Sequence, residues 1–217
     1  MQKLSYKENI ICHINYRDIF NAPVLKSSLE VWMGILNQHD RNTFDGALQE
    51  LLFEELIIEK NGYLAVIGKE QIILDQPRKT ALTKELIEKG KKGIGFLSAI
   101  PFVRYLGISG SLAADNPIKD CDDNHVDLDL FVITARHSMW VFVFIERIFS
   151  NIIRKVYSKH FYCFNYVTEE SFLELRNQNL YTATELVNLK TLKSKGAYES
   201  FFLNSCNYVS VNQYCRC

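Results

Sequence analysis

Nine residues, Val126-Asp127-Leu128-Asp129-Leu130-Phe131-Val132-Ile133-Thr134, constrain this chain more than any others. They alternate as a strand does. Leu128, Leu130 and Val132 share one face, and Asp127, Asp129 and Phe131 share the other. The i, i+2 spacing places two carboxylates about 6.5–7 Å apart along the strand. Acids held that close repel and raise one another's pKa. A hard divalent cation removes the conflict, and Mg²⁺ favours one or two carboxylates together with substrate phosphates.

A second feature stands upstream. Val103 to Ser109 reads as a short strand that ends in Gly110-Ser111. Glycine lets the backbone come close to an anion. Ser111 offers a hydroxyl donor, and the amides of Leu112 and Ala113 are expected to open a helix start that favours phosphate. The ordered set is an apolar strand, Gly-Ser, a loop, then Asp-hydrophobic-Asp inside a strand. It predicts phosphate binding at Gly110 and Ser111, and a metal at Asp127 and Asp129.

The segment YLGISGSLAADNPIKDCDDNHVDLDLFVIT, about thirty residues, resembles the signature of the nucleotidyltransferase superfamily with the polymerase-beta-like fold. By position, the resemblance implies that Gly110 and Ser111 hold an NTP's triphosphate. It implies equally that Asp127 and Asp129 bind Mg²⁺ and are catalytic. The order of a winged-helix-like segment before this core is similar to an uncharacterised bacterial branch of that superfamily.

The resemblance also implies a third acid on a later strand, serving as general base and second metal ligand. The strand His160 to Val167 offers Asn165, which is neutral and can neither accept a proton nor complete a two-metal clamp. Glu169 and Glu170 follow it and are expected to be surface acids capping the next helix. Glu185 is a more distant candidate. The loop from Ser111 to Asp127 is long and carries Asp115, Asp120, Asp122 and Asp123; an acidic surface loop is the expectation, a lid the alternative.

Other chemistries fit less well. Asp120, Asp122 and Asn124 match the first ligand positions of a calcium loop, but His125 stands where glycine is needed and Phe131 where glutamate is needed. His125 has no nucleophile to pair with, and Ser109 and Ser111 lack the context of a hydrolase elbow. The remaining plain reading of Asp127 and Asp129 is a half-exposed strand edge with polar residues outward.

Charge divides the chain. Residues 1–75 carry seven Lys or Arg against eleven Asp or Glu, a net −4, and the rest carries +4, so the whole is neutral. A protein that coats nucleic acid by charge is excluded. The shift falls near Gln76-Pro77-Arg78 and marks a domain boundary. Apolar residues at 47% supply enough material for a core and exclude global disorder. The six cysteines, Cys12, Cys121, Cys163, Cys206, Cys215 and Cys217, form no C-x-x-C pair and no zinc spacing with histidine. They are expected to be reduced thiols in a cytoplasmic protein. The polar start MQKLSYKENI reads as no secretory signal, and the longest apolar run, Met139 to Ile145, is short of the ~20 residues that cross a bilayer.

The first segment reads as helices over Leu4 to Tyr16 and from Lys26 to about Leu36, then a third capped by Asn42 or Thr43. Leu56-Ile57-Ile58 and Tyr63 to Ile67 flank Asn61-Gly62, a hairpin signal. That order resembles a winged helix. Its third helix carries Asp45, Glu50, Glu54 and Glu55, which phosphates would repel. A linking helix is expected over Lys79 to Ser98, with Lys84, Lys89, Lys91 and Lys92 along it. Met139 to Tyr157 reads as a core helix through Trp140, Phe144, Ile148, Ile152 and Val156, with Arg147, Arg154 and Lys155 on its other side. Phe161 to Val167 reads as a strand, Thr168 as a helix cap, and Ala183 to Leu192 as a helix.

These readings combine into an α+β chain: a winged-helix-like domain over 1–76, then a small mixed-sheet nucleotidyltransferase-like domain over 77–217, flanked by helices. The resemblance implies Mg²⁺-dependent transfer of an NMP group from an NTP to a hydroxyl acceptor. A catalytically impaired nucleotide-binding or regulatory module of the same fold is the alternative, and a winged-helix transcription regulator the second. Nucleic acid is a conceivable acceptor that charge does not favour. No membrane partner is expected, and a partner protein is expected if the acceptor-binding part comes from another chain.

Overall fold

A computed structural model of the chain describes residues 5–33, 35, 38–118, 126–153, 161–173 and 180–196. The protein is a mixed α/β chain with one antiparallel and one mixed sheet. Two compact units divide it, with the boundary between Arg78 and Lys79. No helix among the described residues is long and apolar enough to cross a membrane.

The N-terminal unit runs α1 (Tyr6–Asp18), β1 (Val24–Leu25), α2 (Lys26–Trp32), α3 (Gln38–Phe53), β2 (Ile57–Lys60) and β3 (Tyr63–Val66). Ser5 starts α1 through a capping box. Its hydroxyl accepts the Glu8 amide at 3.2 Å, and the Glu8 carboxylate accepts the Ser5 amide at 2.7 Å. Such a cap stabilises a helix by about 1 kcal/mol. The third helix begins at Gln38, earlier than its expected cap. Phe44, Leu48 and Leu51 at helical spacing bury one side of α3 against Ile10 and Ile14 of α1 and Leu29 of α2. The strands pair antiparallel in the order β1-β3-β2. Asn61 and Gly62 turn between β2 and β3 with φ of 53° and 75°, the positive pair a two-residue hairpin needs.

Helix α4 spans Glu70–Ala99, and the boundary between the units falls inside it. Sequence placed a break at Pro77 and a helix only from Lys79. Instead Pro77 lies within the helix. A proline there removes one amide from the helical ladder and disfavours a helix without forbidding it. The glycines of α4 serve packing. A Cβ on Gly93 would strike the Tyr162 ring and hydroxyl, and that hydroxyl donates to the Gly90 carbonyl at 2.8 Å.

The C-terminal unit continues with β4 (Val103–Ile108), α5 (Gly110–Ala113), β5 (Leu128–Thr134), α6 (Met139–Ile153), β6 (Tyr162–Glu169), α7 (Leu180–Asn188) and β7 (Lys190–Ser194). From Thr184 onward α7 belongs to this unit. The sheet order is β6-β5-β4-β7, with β5 and β6 parallel and the other pairs antiparallel. Its core gathers Leu106, Ile108, Leu128, Leu130 and Val132 from the central strands with Leu97 of α4 and Phe142 and Phe149 of α6.

Three expectations are corrected here. Helix α6 is apolar nearly all round, so the sequence does not say which side is core. Phe142 and Phe149 are buried, whereas Trp140, Phe144, Ile148 and Ile152 are 76%, 66%, 47% and 59% exposed. The i, i+4 stripe chosen from sequence is the outer one. Thr168 caps no helix; it lies in β6, and its hydroxyl donates to the Phe172 carbonyl at 2.7 Å. The expected helix over Ala183 to Leu192 ends at Asn188 and gives way to the edge strand β7. Arg154, Lys155 and Val156 lie outside the described residues.

Candidate functional site

Strand β4 delivers the chain to Ser109-Gly110-Ser111, directly beside Asp129 of β5. Ile108 faces Leu130 in the antiparallel register, and the Ser109 amide donates to the Asp129 carbonyl at 2.9 Å. Gly110 has φ +66°, a conformation L side chains rarely adopt. A Cβ at this position would also collide with the Asp129 carboxylate. Two independent reasons therefore require glycine here, and the second places the acid against the turn.

Asp129 occupies the half-buried face of β5, next along from Phe131, which stacks on Tyr166 at 4.8 Å. Burial raises its pKa to about 6. The Cys163 thiol donates to the carboxylate and opposes the rise, and the negative charges of Asp127 and Glu185 add to it. Asp127 does not lie in the strand as expected; β5 begins at Leu128, and Asp127 sits half-buried just before it. It is nonetheless near enough for its charge to be felt at Asp129. Ser111 is half-buried in α5, and its carbonyl accepts the Asn116 amide at 2.9 Å.

A carboxylate from far along the chain meets the same turn. The Gly110 amide donates to Oε2 of Glu185, on α7, at 2.9 Å. Sequence offered Glu185 only as a remote candidate, because nothing local connects residues 110 and 185. The connection comes from β7, which follows α7 and pairs with β4, placing Lys190 opposite Ile108. Lys190 then donates to the Leu112 carbonyl at 3.1 Å and to Asp115 at 2.6 Å, while Lys79 donates to Asn116 at 2.8 Å. The two lysines tie down the segment after the turn.

The third-acid position resolves differently from the sequence reading. In the parallel register Cys163 of β6 lies beside Asp129, and Asn165 falls at an irregularity of that pairing and is exposed. Partial burial and the adjacent Asp129 charge push the Cys163 thiol up to about 11, so it stays protonated and acts as a donor. Sequence missed Cys163, since register between distant strands cannot be read from either strand alone. Glu169 is buried rather than a surface acid. It accepts the His137 amide at 3.0 Å and the Ser171 hydroxyl. Glu170 pairs with Arg104 at 3.2 Å. His125, Asp120, Asp122 and Asp123 lie outside the described residues.

At this turn the Gly110 amide donates to Glu185, the glycine lies against the Asp129 carboxylate, and the neutral Cys163 thiol donates to Asp129. Among the described residues no three His, Cys, Asp or Glu side chains converge as a metal-holding group. The donor set still suits Mg²⁺, which needs only one or two carboxylates when phosphates complete its shell. Burial, with smaller contributions from the charges of Asp127 and Glu185, raises the Asp129 pKa, and a divalent cation would favour its charged form. No family model, curated protein or solved structure matches the chain.

Proposed function

We propose that the C-terminal unit is a nucleotidyltransferase-like domain that takes an NTP with Mg²⁺ and moves its NMP group to a hydroxyl acceptor. The observation that carries this reading is the contact of the Gly110 turn with the Asp129 carboxylate. It joins the phosphate half and the metal half of the site at one point. The order β4, Gly-Ser turn, β5, α6 and parallel β6 agrees with a polymerase-beta-like core. The N-terminal order of helix, strand, two helices and a hairpin agrees with a winged helix.

In this reading Asp127 and Asp129 would hold Mg²⁺, which supplies charge neutralisation on the triphosphate. The Gly110 amide and the Ser111 hydroxyl donate to phosphate oxygens. Phe131 and Tyr166 lie along the same strands, and Phe131 is buried there. Cys163 keeps Asp129 in place by donating to it, without adding charge.

One observation favours a nucleotide-binding module without transfer. Strand β6 puts a protonated thiol beside Asp129 where a base would be needed. The two readings separate in the test tube. Calorimetry with NTP and Mg²⁺ is expected to show binding that Asp127→Ala weakens by about a hundredfold, some 2.7 kcal/mol. Release of pyrophosphate in the presence of an acceptor marks transfer; tight binding with no release marks the module. Absence of binding to any NTP removes both. A DNA-reading role for α3 is disfavoured by its surroundings. Lys7 pairs with Glu50 and Glu54, Lys26 with Asp45, and Arg41 with Glu30, so the bases near α3 already serve acids.

A further inference from the structure

We propose that the outer face of α6 docks on the surface of an anionic lipid bilayer, with the helix lying among the headgroups. Trp140, Val141, Phe144, Ile148 and Ile152 are exposed by 76%, 50%, 66%, 47% and 59%. Their spacing along α6 gathers them into one stripe. The opposite side of the helix already serves the core through Phe142 and Phe149, so the stripe is surplus to folding. Phe96 of α4 stacks on Phe149 at 5.5 Å and is itself 52% exposed, which adds another aromatic beside α6. An exposed apolar patch of this kind, rimmed by polar residues, marks an interaction surface.

The charges around the stripe select its occupant. Arg147 follows Phe144 by three residues on α6, Arg136 stands just before the helix, and both are exposed. Lys92, also exposed, lies one turn before Phe96 along α4. Among the described residues none of these three bases pairs with an acid. Glu146, the acid of α6, is half-buried and accepts the Ser150 hydroxyl at 2.7 Å. An apolar centre with a tryptophan and a cationic rim suits a helix that lies in a membrane interface. Its apolar side chains enter the acyl boundary, the indole stays at headgroup level, and the bases meet lipid phosphates. The sequence points to no membrane partner because no apolar run is long enough to span, but lying on a bilayer needs only one exposed face. A second copy of the chain fits less well. Two α6 helices packed antiparallel about the middle of the stripe would set Arg147 against its own counterpart, and like charges there oppose pairing.

The test is flotation of the full chain with two kinds of vesicle: phosphatidylcholine and phosphatidylserine in equal parts, and phosphatidylcholine alone. Wild type is expected to bind the mixed vesicles about tenfold more tightly than the neutral ones. Phe144→Ser is expected to weaken binding to the mixed vesicles about tenfold. The double variant Arg136→Gln, Arg147→Gln is expected to bind both kinds equally, as wild type does in high salt. Melting temperatures equal to wild type confirm that both variants are folded. Emission from Trp140 is expected to shift to the blue on the mixed vesicles and to be quenched by brominated lipid, a change that the buried Trp32 does not give. Failure of wild type to bind the mixed vesicles overturns the proposal, as does binding that Phe144→Ser leaves unchanged. A size on gel filtration that doubles with concentration for wild type and not for Phe144→Ser also overturns it, and assigns the stripe to a second copy. None of these results bears on the Gly110 turn, which the stripe does not include.

Discussion

His13 in α1 and Asp129 in β5 are both titratable groups taken out of water, and the two units surround them in opposite ways. His13 is 1% exposed, and among the described residues neither ring nitrogen has a hydrogen-bond partner. The Trp32 ring meets it edge-on at 4.5 Å, and the indole nitrogen is likewise unpaired. Burial alone lowers the His13 pKa to about 4, so the ring is neutral and packs as an aromatic. Asp129 is also shifted chiefly by burial, but a thiol donates to it, the Gly110 turn lies against it, and the charges of Asp127 and Glu185 add to the shift. A shifted pKa by itself therefore marks packing. A shift that neighbouring charges reinforce, at a turn whose backbone favours glycine, is what the proposed phosphate and metal site rests on.

The largest expected effect tests the first half of that contrast. A histidine whose folded pKa lies at about 4, below its unfolded 6.5, binds its proton less readily when folded. Its effect is absent above pH 6.5, grows as pH falls, and is complete below about 4. The loss over that window is about 3 kcal/mol. Asp129 titrates with the opposite sign, since its raised pKa makes stability fall as pH rises from about 4 to 6. The difference between wild type and His13→Leu cancels that trend. Denaturant titrations at pH 7 and pH 4, in a Trp140→Phe background that leaves Trp32 as the single tryptophan, are expected to show wild type losing about 3 kcal/mol relative to His13→Leu on going to pH 4. Equal pH dependence in both would mean that the ring is solvated or paired, and the contrast would fail.

The next effect addresses the other half. Asp129→Asn removes one charge from a crowded set while Cys163 can still donate to the amide oxygen. Binding of NTP with Mg²⁺ is expected to drop about a hundredfold, some 2.7 kcal/mol, with the melting temperature equal to or above wild type. Residues that serve a ligand at the expense of stability behave this way. A fall in melting temperature of several degrees would put Asp129 in the same class as a packing residue. Gly110→Ala sharpens the result from the backbone side. It is expected to abolish binding, since the Cβ collides with Asp129, and also to destabilise the turn, since alanine at φ +66° is strained.

What could be read in advance follows from how local each signal is. The mixed α/β class, the Asn61-Gly62 turn and the strands around Gly110 and Asp129 are encoded within a few residues each, through alternation and turn chemistry. Partners that only the sheet brings together were not legible. Cys163 reaches Asp129 through the parallel pairing of β5 and β6, and Glu185 reaches Gly110 because β7 pairs with β4. Strand β7 itself reads Lys-Thr-Leu-Lys-Ser, too polar for an alternation signal, because it is an edge strand. Pro77 misled for the reverse reason. A proline weakens a helix locally, and the apolar contacts made along the rest of α4 outweigh it.

The smallest expected effect asks whether the contrast between packed and functional groups extends to apolar ones. Composition makes the apolar residues of α6 all look like core, yet exposure divides them. Phe142 is fully buried, and Phe144, two residues on, is 66% exposed. Hydrophobic stabilisation follows the area removed from water rather than the residue type. Phe144→Ser removes little buried area and creates no cavity, so its unfolding free energy is expected to stay within about 0.5 kcal/mol of wild type. Nucleotide binding is expected to be unchanged as well, because Phe144 touches none of Gly110, Asp127, Asp129 or Glu185 among the contacts described. A loss of several kcal/mol would show that something covers the outer face of α6, and the residues chosen from sequence as core would be core after all.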